Sequence, residues 1–217
     1  MKKVLALVLI MGLALTLLVA CNGDEEETAN DTTQEVPPSA ELSTEEPADL
    51  WEGEMTRVKI EIEDYGDIIV ELNEAAAPIT VANFLRLVEE GFYDGVVFHR
   101  IIEGFMIQGG DPTGTGTGGS DERIQGEFAS NGIENPIQHK RGVISMARTN
   151  DPNSATSQFF IMHADSPFLD GDYAGFGRVV EGIEVVDAIV AAVPVLDGNG
   201  SVAPENHPRM TRVIILD

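Results

Sequence analysis

Between Thr56 and Glu63 the chain alternates Val58, Ile60 and Ile62 with charged residues, and Ile68, Val70 and Leu72 resume the alternation after Asp64-Tyr65-Gly66. A period of two on both sides of a turn predicts a β-hairpin with one dry face and one wet face. The period then changes. Pro78 stands at a first helical position, Val81, Phe84, Leu85 and Val88 fall on one helical face, and Gly91 supplies a stop, so an amphipathic helix follows the hairpin. Short extended segments come next, near 97–102, 105–110, 141–147, 158–163 and 175–180. A second helix covers Ile183–Ala192, and the chain closes on the apolar run Met210–Leu216. Many short strands with Gly-rich connections argue for a mainly β barrel or sandwich, and closure into a barrel would remove exposed edges.

Ahead of the hairpin this periodicity is missing. Lys2 and Lys3 precede a mostly apolar run from Val4 to Ala20, which as a helix would be about 25 Å long and borderline for a bilayer span. A basic start followed by an apolar run is the pattern of a targeting segment. Leu18-Val19-Ala20-Cys21 resembles the lipobox of bacterial lipoproteins, in which cleavage precedes the Cys and that residue receives lipid. The alternatives are an ordinary signal peptide ending at a chance Cys and an uncleaved anchor. Cys21 is the single Cys of the chain. Its acylation would exclude disulfides, Cys nucleophiles and thiolate metal sites from the mature protein.

Residues 22–50 hold ten acids and no Lys or Arg, the composition of a solvated tether that spans roughly 30 Å or more. Leu50 and Trp51 break its polarity and are expected to pack on the edge of the domain. The expected organisation is a lipoprotein signal peptide over 1–20, a lipidated Cys and acidic tether over 21–55, and one folded domain over 56–217. The corresponding location is the extracytoplasmic side of a bacterial cell membrane.

The whole chain carries a formal net charge of −24 over 217 residues, which repels phosphate backbones and argues against nucleic acid as a partner. Candidate chemistry concentrates in Val97–Asp111, where Arg100 and Gln108 interrupt an otherwise apolar pair of runs that meet at Gly104. Such a surface suits an uncharged, partly hydrophobic ligand oriented by a few hydrogen bonds. Other signals are weaker. Gly114-x-Gly116-x-x-Gly119 has the letters of a dinucleotide fingerprint but follows Asp111-Pro112 and lacks a βαβ setting. His99, His139, His163 and His207 lack metal-ligand spacing; His99 reads as a core or supporting residue and the others as loop histidines. Ser145 and Ser157 lack a nucleophile-elbow setting. Asp170 and Asp172 read as acids of a solvated turn. No cofactor and no metal are expected.

Phe98-His99-Arg100-Ile101-Ile102-x-Gly104-Phe105-Met106-Ile107-Gln108-Gly109-Gly110-Asp111 resembles the cyclophilins, the family of peptidyl-prolyl cis-trans isomerases. So do Gly116-Thr117-Gly118-Gly119, Ser157-Gln158-Phe159-Phe160-Ile161, Leu169-Asp170-Gly171 and Phe176-Gly177, in the same order from about Thr56 to Asp217. The resemblance implies a closed eight-stranded antiparallel β-barrel capped by two α-helices. It also implies an activity that needs neither nucleophile nor metal. Rotation of an X–Pro bond is slowed by a conjugation barrier of about 18–20 kcal/mol. A site that binds the twisted amide better than either planar form removes part of that barrier. In the twisted state the prolyl nitrogen regains a lone pair, and a fixed donor aimed at it acts only near the transition state.

By match to the family, Arg100 is that donor, and Gln108 holds the substrate carbonyl and orients the Arg. Phe105, Met106, Phe160 and Leu169 line the proline pocket. Taken alone, Phe105, Met106 and Phe160 read as core packing; the motif around them favours the pocket. Ala147, Arg148 and Thr149 fall where an extended segment pairs with the peptide backbone, and Gly116 and Gln158 border it. Phe168 stands where the best-known eukaryotic members often carry Trp, and Tyr173 where they usually carry His. Arg148-Thr149 replaces an Asn-Ala common in the family. These departures are expected to weaken cyclosporin binding and to alter preference beside the proline. The expected partners are proline-containing peptides and exported proteins that are unfolded or still folding, bound by a monomer that meets the membrane through its lipid alone. The rival reading is a non-catalytic proline-peptide module or holdase.

Overall fold

The hairpin forms where the alternation places it. A computed structural model describes residues 46, 47 and 49–216; the targeting segment, Cys21 and the tether up to residue 45 lie outside the described residues. Strands β1 (Thr56–Ile62) and β2 (Gly66–Leu72) pair antiparallel with Val58 opposite Val70 and Ile60 opposite Ile68. Val58, Ile60, Ile68 and Val70 are fully buried. Asp64 takes a left-handed conformation in the connecting turn (φ 65°), one of the few side chains that tolerates it.

Helix α1 (Pro78–Glu89) begins at the predicted proline and ends one residue short of its C-cap, Glu90, with Gly91 left-handed behind it. Its N-cap, Ala77, offers no side-chain acceptor. The missing cap comes from far along the chain: the Glu127 carboxylate accepts from Ile79 N (2.9 Å), Thr80 N (2.8 Å) and Thr80 Oγ1 (2.7 Å). An anion at the helix N-terminus satisfies two orphan amides and complements the dipole. On the inner face Phe84 meets the rings of Tyr93, Phe159 and Phe176 at 5.1–5.6 Å.

Strands β3 (Val97–Ile102), β4 (Met106–Asp111), β5 (Val143–Met146), β6 (Phe159–Met162), β7 (Gly175–Glu181) and β8 (Met210–Leu216) complete one antiparallel sheet in the order β3-β4-β6-β5-β7-β2-β1-β8. Two of them, β5 and β6, are shorter than the extended segments expected from sequence, and β4 is displaced by one residue. The two end strands meet through a short seam rather than a full ladder. Val97 bridges Arg209, Phe98 N donates to Pro208 O (2.9 Å) and Met210 N to Val96 O (2.8 Å). Helix α2 (Ile183–Ala192) has the predicted bounds and buries Val185, Val186 and Ile189. Leu50 and Trp51 pack on the domain edge as expected, with the Arg178 guanidinium 4.6 Å above the Trp51 ring. Among the described residues no helix is long and apolar enough to cross a membrane.

The period of two divides the apolar residues into two cores. Ile107, Phe159, Ile161 and Ile144 point into the barrel and join the main core. Their immediate neighbours Met106, Phe160, Met162 and Val143 point the other way and form a smaller cluster with Leu169, flanked by Phe105 and Tyr173. This outer cluster is the base of the candidate site.

Candidate functional site

Pairing of β3 with β4 sets Arg100 opposite Gln108, and pairing of β4 with β6 sets Gln108 opposite Phe160. One antiparallel register thus places a cation, an amide and an aromatic ring side by side on the outer face of the sheet. The turn at Gly104 (φ 74°) returns the chain so that Phe105 and Met106 join them. A hollow of about 240 Å³ results, lined by Arg100, Phe105, Met106, Gln108, Phe160 and Leu169, with Ala147, Arg148, Phe168 and Tyr173 around the mouth. The Phe168 ring lies 5.5 Å from that of Phe105 and is 70% exposed. An adjoining groove of about 640 Å³ carries Gly116, Thr149 and Gln158 and shares Gln108, Ala147 and Arg148 with the hollow. Every residue expected at the site, Cys21 apart, therefore falls in one continuous depression. The reading of Phe105, Met106 and Phe160 as plain core is answered by the alternation: they pack outside the barrel, not in its interior.

The polar residues form one directed chain. Arg100 donates through Nε to the Asn199 carbonyl (2.8 Å) and through Nη1 to Gln108 Oε1 (3.1 Å). Gln108 Nε2 donates to Gln158 Oε1 (2.9 Å), and Gln158 Nε2 donates to the carbonyls of Gly116 (3.1 Å) and Gly118 (2.7 Å). Each amide has a single workable orientation, because reversing either would set two donors or two acceptors face to face. Among the described residues Arg100 Nη2 has no hydrogen-bond partner, and the side chain lines the hollow. Burial lowers its pKa from the ordinary value while Tyr173 and Asp197 act to raise it; a guanidinium stays protonated throughout.

The groove wall depends on Asp111, which is fully buried at the end of β4. Its carboxylate accepts from the amides of Thr113 (2.7 Å), Thr115 (3.1 Å), Gly116 (2.7 Å) and Gly118 (3.0 Å). Burial pushes its pKa up, but the bonds from Thr113, Gly118 and Gly116 outweigh this and hold it at about 2. The Gly114–Gly119 segment is thus a loop folded around a carboxylate. A Cβ at Gly118 would stand 2.2 Å from Asp111 Oδ1, so the sequence must be Gly there.

Two residues differ from the sequence reading. His139 is no loop histidine: it is 1% exposed, with Nδ1 2.9 Å from Asp170 Oδ1 and Nε2 3.0 Å from Ser145 Oγ. Asp170 correspondingly is not a merely solvated acid, since it also accepts from His139 N (2.7 Å). The Asp-His-Ser geometry has the distances of a nucleophile triad, but Ser145 is 0% exposed and no substrate reaches it. The network instead braces the floor, for the His139 ring stacks on Phe160 (6.1 Å) and meets Tyr173 edge-on (6.4 Å). Burial lowers the His139 pKa, and Asp170 offsets part of this.

The departures at Arg148 and Tyr173 turn out to be one feature. The Arg148 guanidinium carbon lies 4.6 Å from the Tyr173 ring and 5.0 Å from the Phe128 ring, while Nε and Nη1 donate to Asp172 O and Thr149 O, both at 2.9 Å. Stacking between two aromatic faces fixes a cation at the junction of hollow and groove. Asn199, which anchors Arg100, has no signal in the sequence: it contributes a backbone carbonyl from 99 residues away.

The sequence model of the family described as cyclophilin type peptidyl-prolyl cis-trans isomerase/CLD matches residues 57–215. A peptidyl-prolyl cis-trans isomerase of Schizosaccharomyces pombe is 50% identical over 121 residues, covering 55% of this chain and 76% of the relative. One of Helicobacter pylori is 48% identical over 126 residues, covering 57% and 74%. A crystal structure of a Cryptosporidium parvum cyclophilin type isomerase superposes with a TM-score of 0.66 at 33% identity, covering 76% of this chain and 99% of that one. The same enzyme determined in the presence of the dipeptide Ala-Pro gives 0.65 at 33% identity, covering 74% and 99%.

Proposed function

The chain belongs to the cyclophilin family and is a peptidyl-prolyl cis-trans isomerase, and from that membership we propose that Arg100 is its catalytic donor, acting on the prolyl nitrogen of a peptide seated in the hollow. The observation that carries this assignment is the double tether of the guanidinium: Nε on Asn199 O and Nη1 on Gln108 Oε1 leave Nη2 beside an apolar floor. The proline ring packs on Met106, Phe160 and Leu169, with Phe105 as a wall. Gln108 has given one amide hydrogen to Gln158 and keeps the other for the carbonyl that precedes the proline. As the amide twists, its nitrogen becomes an acceptor that neither planar isomer offers. A hydrogen bond from a charged donor contributes about 1.5–3 kcal/mol, or roughly 10- to 150-fold in rate. The apolar walls strengthen it by lowering the local dielectric.

The Ala147 amide is already donated to Gln158 O (2.9 Å), so the extended segment meets a peptide through carbonyls and through the Arg148 Nη2. Beside the proline this favours an acidic residue in the substrate. The lipobox resemblance and acidic tether support a role at the outer face of a bacterial membrane, assisting exported proteins as they fold, and analysis of the mature N-terminus by mass spectrometry tests it directly.

The test of the catalytic assignment is proline-peptide isomerisation by the purified protein and by Arg100→Lys, which keeps the charge and loses the planar fork. Turnover falls at least about tenfold while peptide binding persists. Unchanged turnover in both Arg100→Lys and Arg100→Ala would remove Arg100 from the mechanism. A parent protein that binds the peptide without accelerating its cis-trans exchange would instead favour the holdase.

A further inference from the structure

Gln108 alone leaves the Arg100 guanidinium free to swing about one hydrogen bond. The second bond comes from the segment between α2 and β8. Val195 pairs with Val202, and Leu196 N donates to Ser201 O (2.7 Å), pinching off a tight loop over residues 197–200. The Asp197 carboxylate fills that loop. Its Oδ1 accepts from Asn199 N (2.9 Å) and Ser201 N (3.2 Å), and its Oδ2 accepts from Ser201 Oγ (3.0 Å). Gly200 N closes back on Asp197 O (3.1 Å).

The C-terminal end of the loop is laid against β3. Ile101 N donates to Gly200 O (2.8 Å), Val202 N donates to His99 O (3.1 Å), and Arg100 itself bridges Ser201. This contact admits no side chain at residue 200: Gly200 has φ +80°, and a Cβ there would stand 2.2 Å from Ile101 O. The geometry aims the Asn199 carbonyl at Arg100 Nε, 2.8 Å away. Two bonds from different directions, at Nε and Nη1, define the plane of the fork. The charge of Asp197 also lies close enough to favour the guanidinium ion.

We infer that the Asp197 loop belongs to the isomerisation apparatus, with Asp197 a positioning residue that fixes the plane of the Arg100 guanidinium through the Asn199 carbonyl. The inference rests on the assignment of Arg100 as donor and extends it to an element that touches the hollow only through that residue. An isolated surface loop would need neither the buried Gly200 contact nor a carboxylate whose three bonds all hold the turn that presents Asn199 O. It would be indifferent to turnover.

The experiment compares the parent with Asp197→Ala, Asp197→Asn, Gly200→Ala, Arg100→Lys and Arg100→Ala, reading peptide turnover, peptide affinity, thermal midpoint and the Arg100 Nε–H signal in nitrogen-15 spectra. Loss of the loop's anchor is expected to lower kcat about ten- to a hundredfold, the usual effect of a misplaced catalytic group. KM should change less than about twofold, because the hollow that binds the proline is untouched. The Arg100 Nε–H signal, sharp in the parent, broadens or exchanges faster in Asp197→Ala and in Gly200→Ala. Asp197→Asn keeps an Oδ1 acceptor for the Asn199 and Ser201 amides and restores most of the turnover. A lowered midpoint with parental kcat per folded molecule, or a parental Nε–H signal in Asp197→Ala, overturns the inference while Arg100→Lys stays impaired. Full turnover in both Arg100→Lys and Arg100→Ala instead removes the assignment on which it rests.

Discussion

Replacing Asp111 by Asn changes one atom and leaves the shape intact, yet it should damage both stability and substrate binding. Oδ1 of Asp111 accepts from Thr113 N, and Oδ2 accepts from Thr115 N, Gly116 N and Gly118 N. An amide group turned either way sets an NH₂ against at least one backbone N–H, and in one orientation against three. Breaking one to two buried bonds to a charged acceptor costs about 2–4 kcal/mol, and the depressed pKa of the group gives the same order independently. A fall from 3.8 to about 2 is worth about 2 kcal/mol at neutral pH. For a domain of this size the melting temperature should drop about 4–16 °C. Because Asp111 is lower in the folded state, its contribution is fully present above the unfolded value and is lost as pH falls through about 2. The gap between parent and variant is therefore flat from neutral pH down to about 5 and narrows below about 4. Calorimetry across pH measures this, and a peptide titration should show weaker binding, since Gln158 is held by the carbonyls of Gly116 and Gly118. A variant that melts within about 1 °C of the parent and binds peptide equally well would show that the loop does not depend on the carboxylate.

Glu127→Gln should cost about 1–2 kcal/mol in chemical unfolding, because the neutral amide loses the charge at the α1 N-terminus and offers one acceptor where the carboxylate offers two. Among the described residues neither buried ring nitrogen of His99 has a hydrogen-bond partner, and burial lowers its pKa; since the folded state disfavours its proton, stability is retained above the ordinary His range and declines as pH falls below about 6.5. His99→Leu should be neutral or stabilising and should flatten that acid limb in pH-dependent melting. Arg148→Ala should reduce the preference for acid-flanked proline peptides by about 3- to 30-fold in kcat/KM while leaving neutral peptides little changed, as competition between peptide substrates would reveal.

The elements that position the site were legible because they obey a period. Alternation gave β1 and β2, and two runs meeting at Gly104 gave β3 and β4, whereas the register that sets Arg100, Gln108 and Phe160 side by side emerges only in the folded sheet. Helix α2 has the predicted bounds because the glycine before it and the valine after it depart from helical backbone. What alternation could not say was which face is the barrel interior. Met106 and Phe160 are as apolar and as buried as Ile107 and Phe159. Only the curvature of the sheet assigns one pair to the main core and the other to the floor of the candidate site.

The unread parts share a physical character. They are polar contacts in which one partner is a backbone group or a residue far along the chain, so neither composition nor spacing marks them. Glu127 looks like any surface acid until it caps a helix 47 residues upstream. His139 looks like a loop histidine until Asp170 and Ser145 enclose it. Asn199 acts through a carbonyl that every residue possesses. Arg148 and Tyr173, read separately, are two unrelated departures from a familiar pattern; in space the cation stacks on the ring. The ring at position 173 therefore does more than line the hollow, because it holds the Arg148 charge at the mouth. Arg100 was visible because its neighbours in sequence are also its neighbours in the strand. The groups that hold it still were invisible because they meet it only in the folded chain.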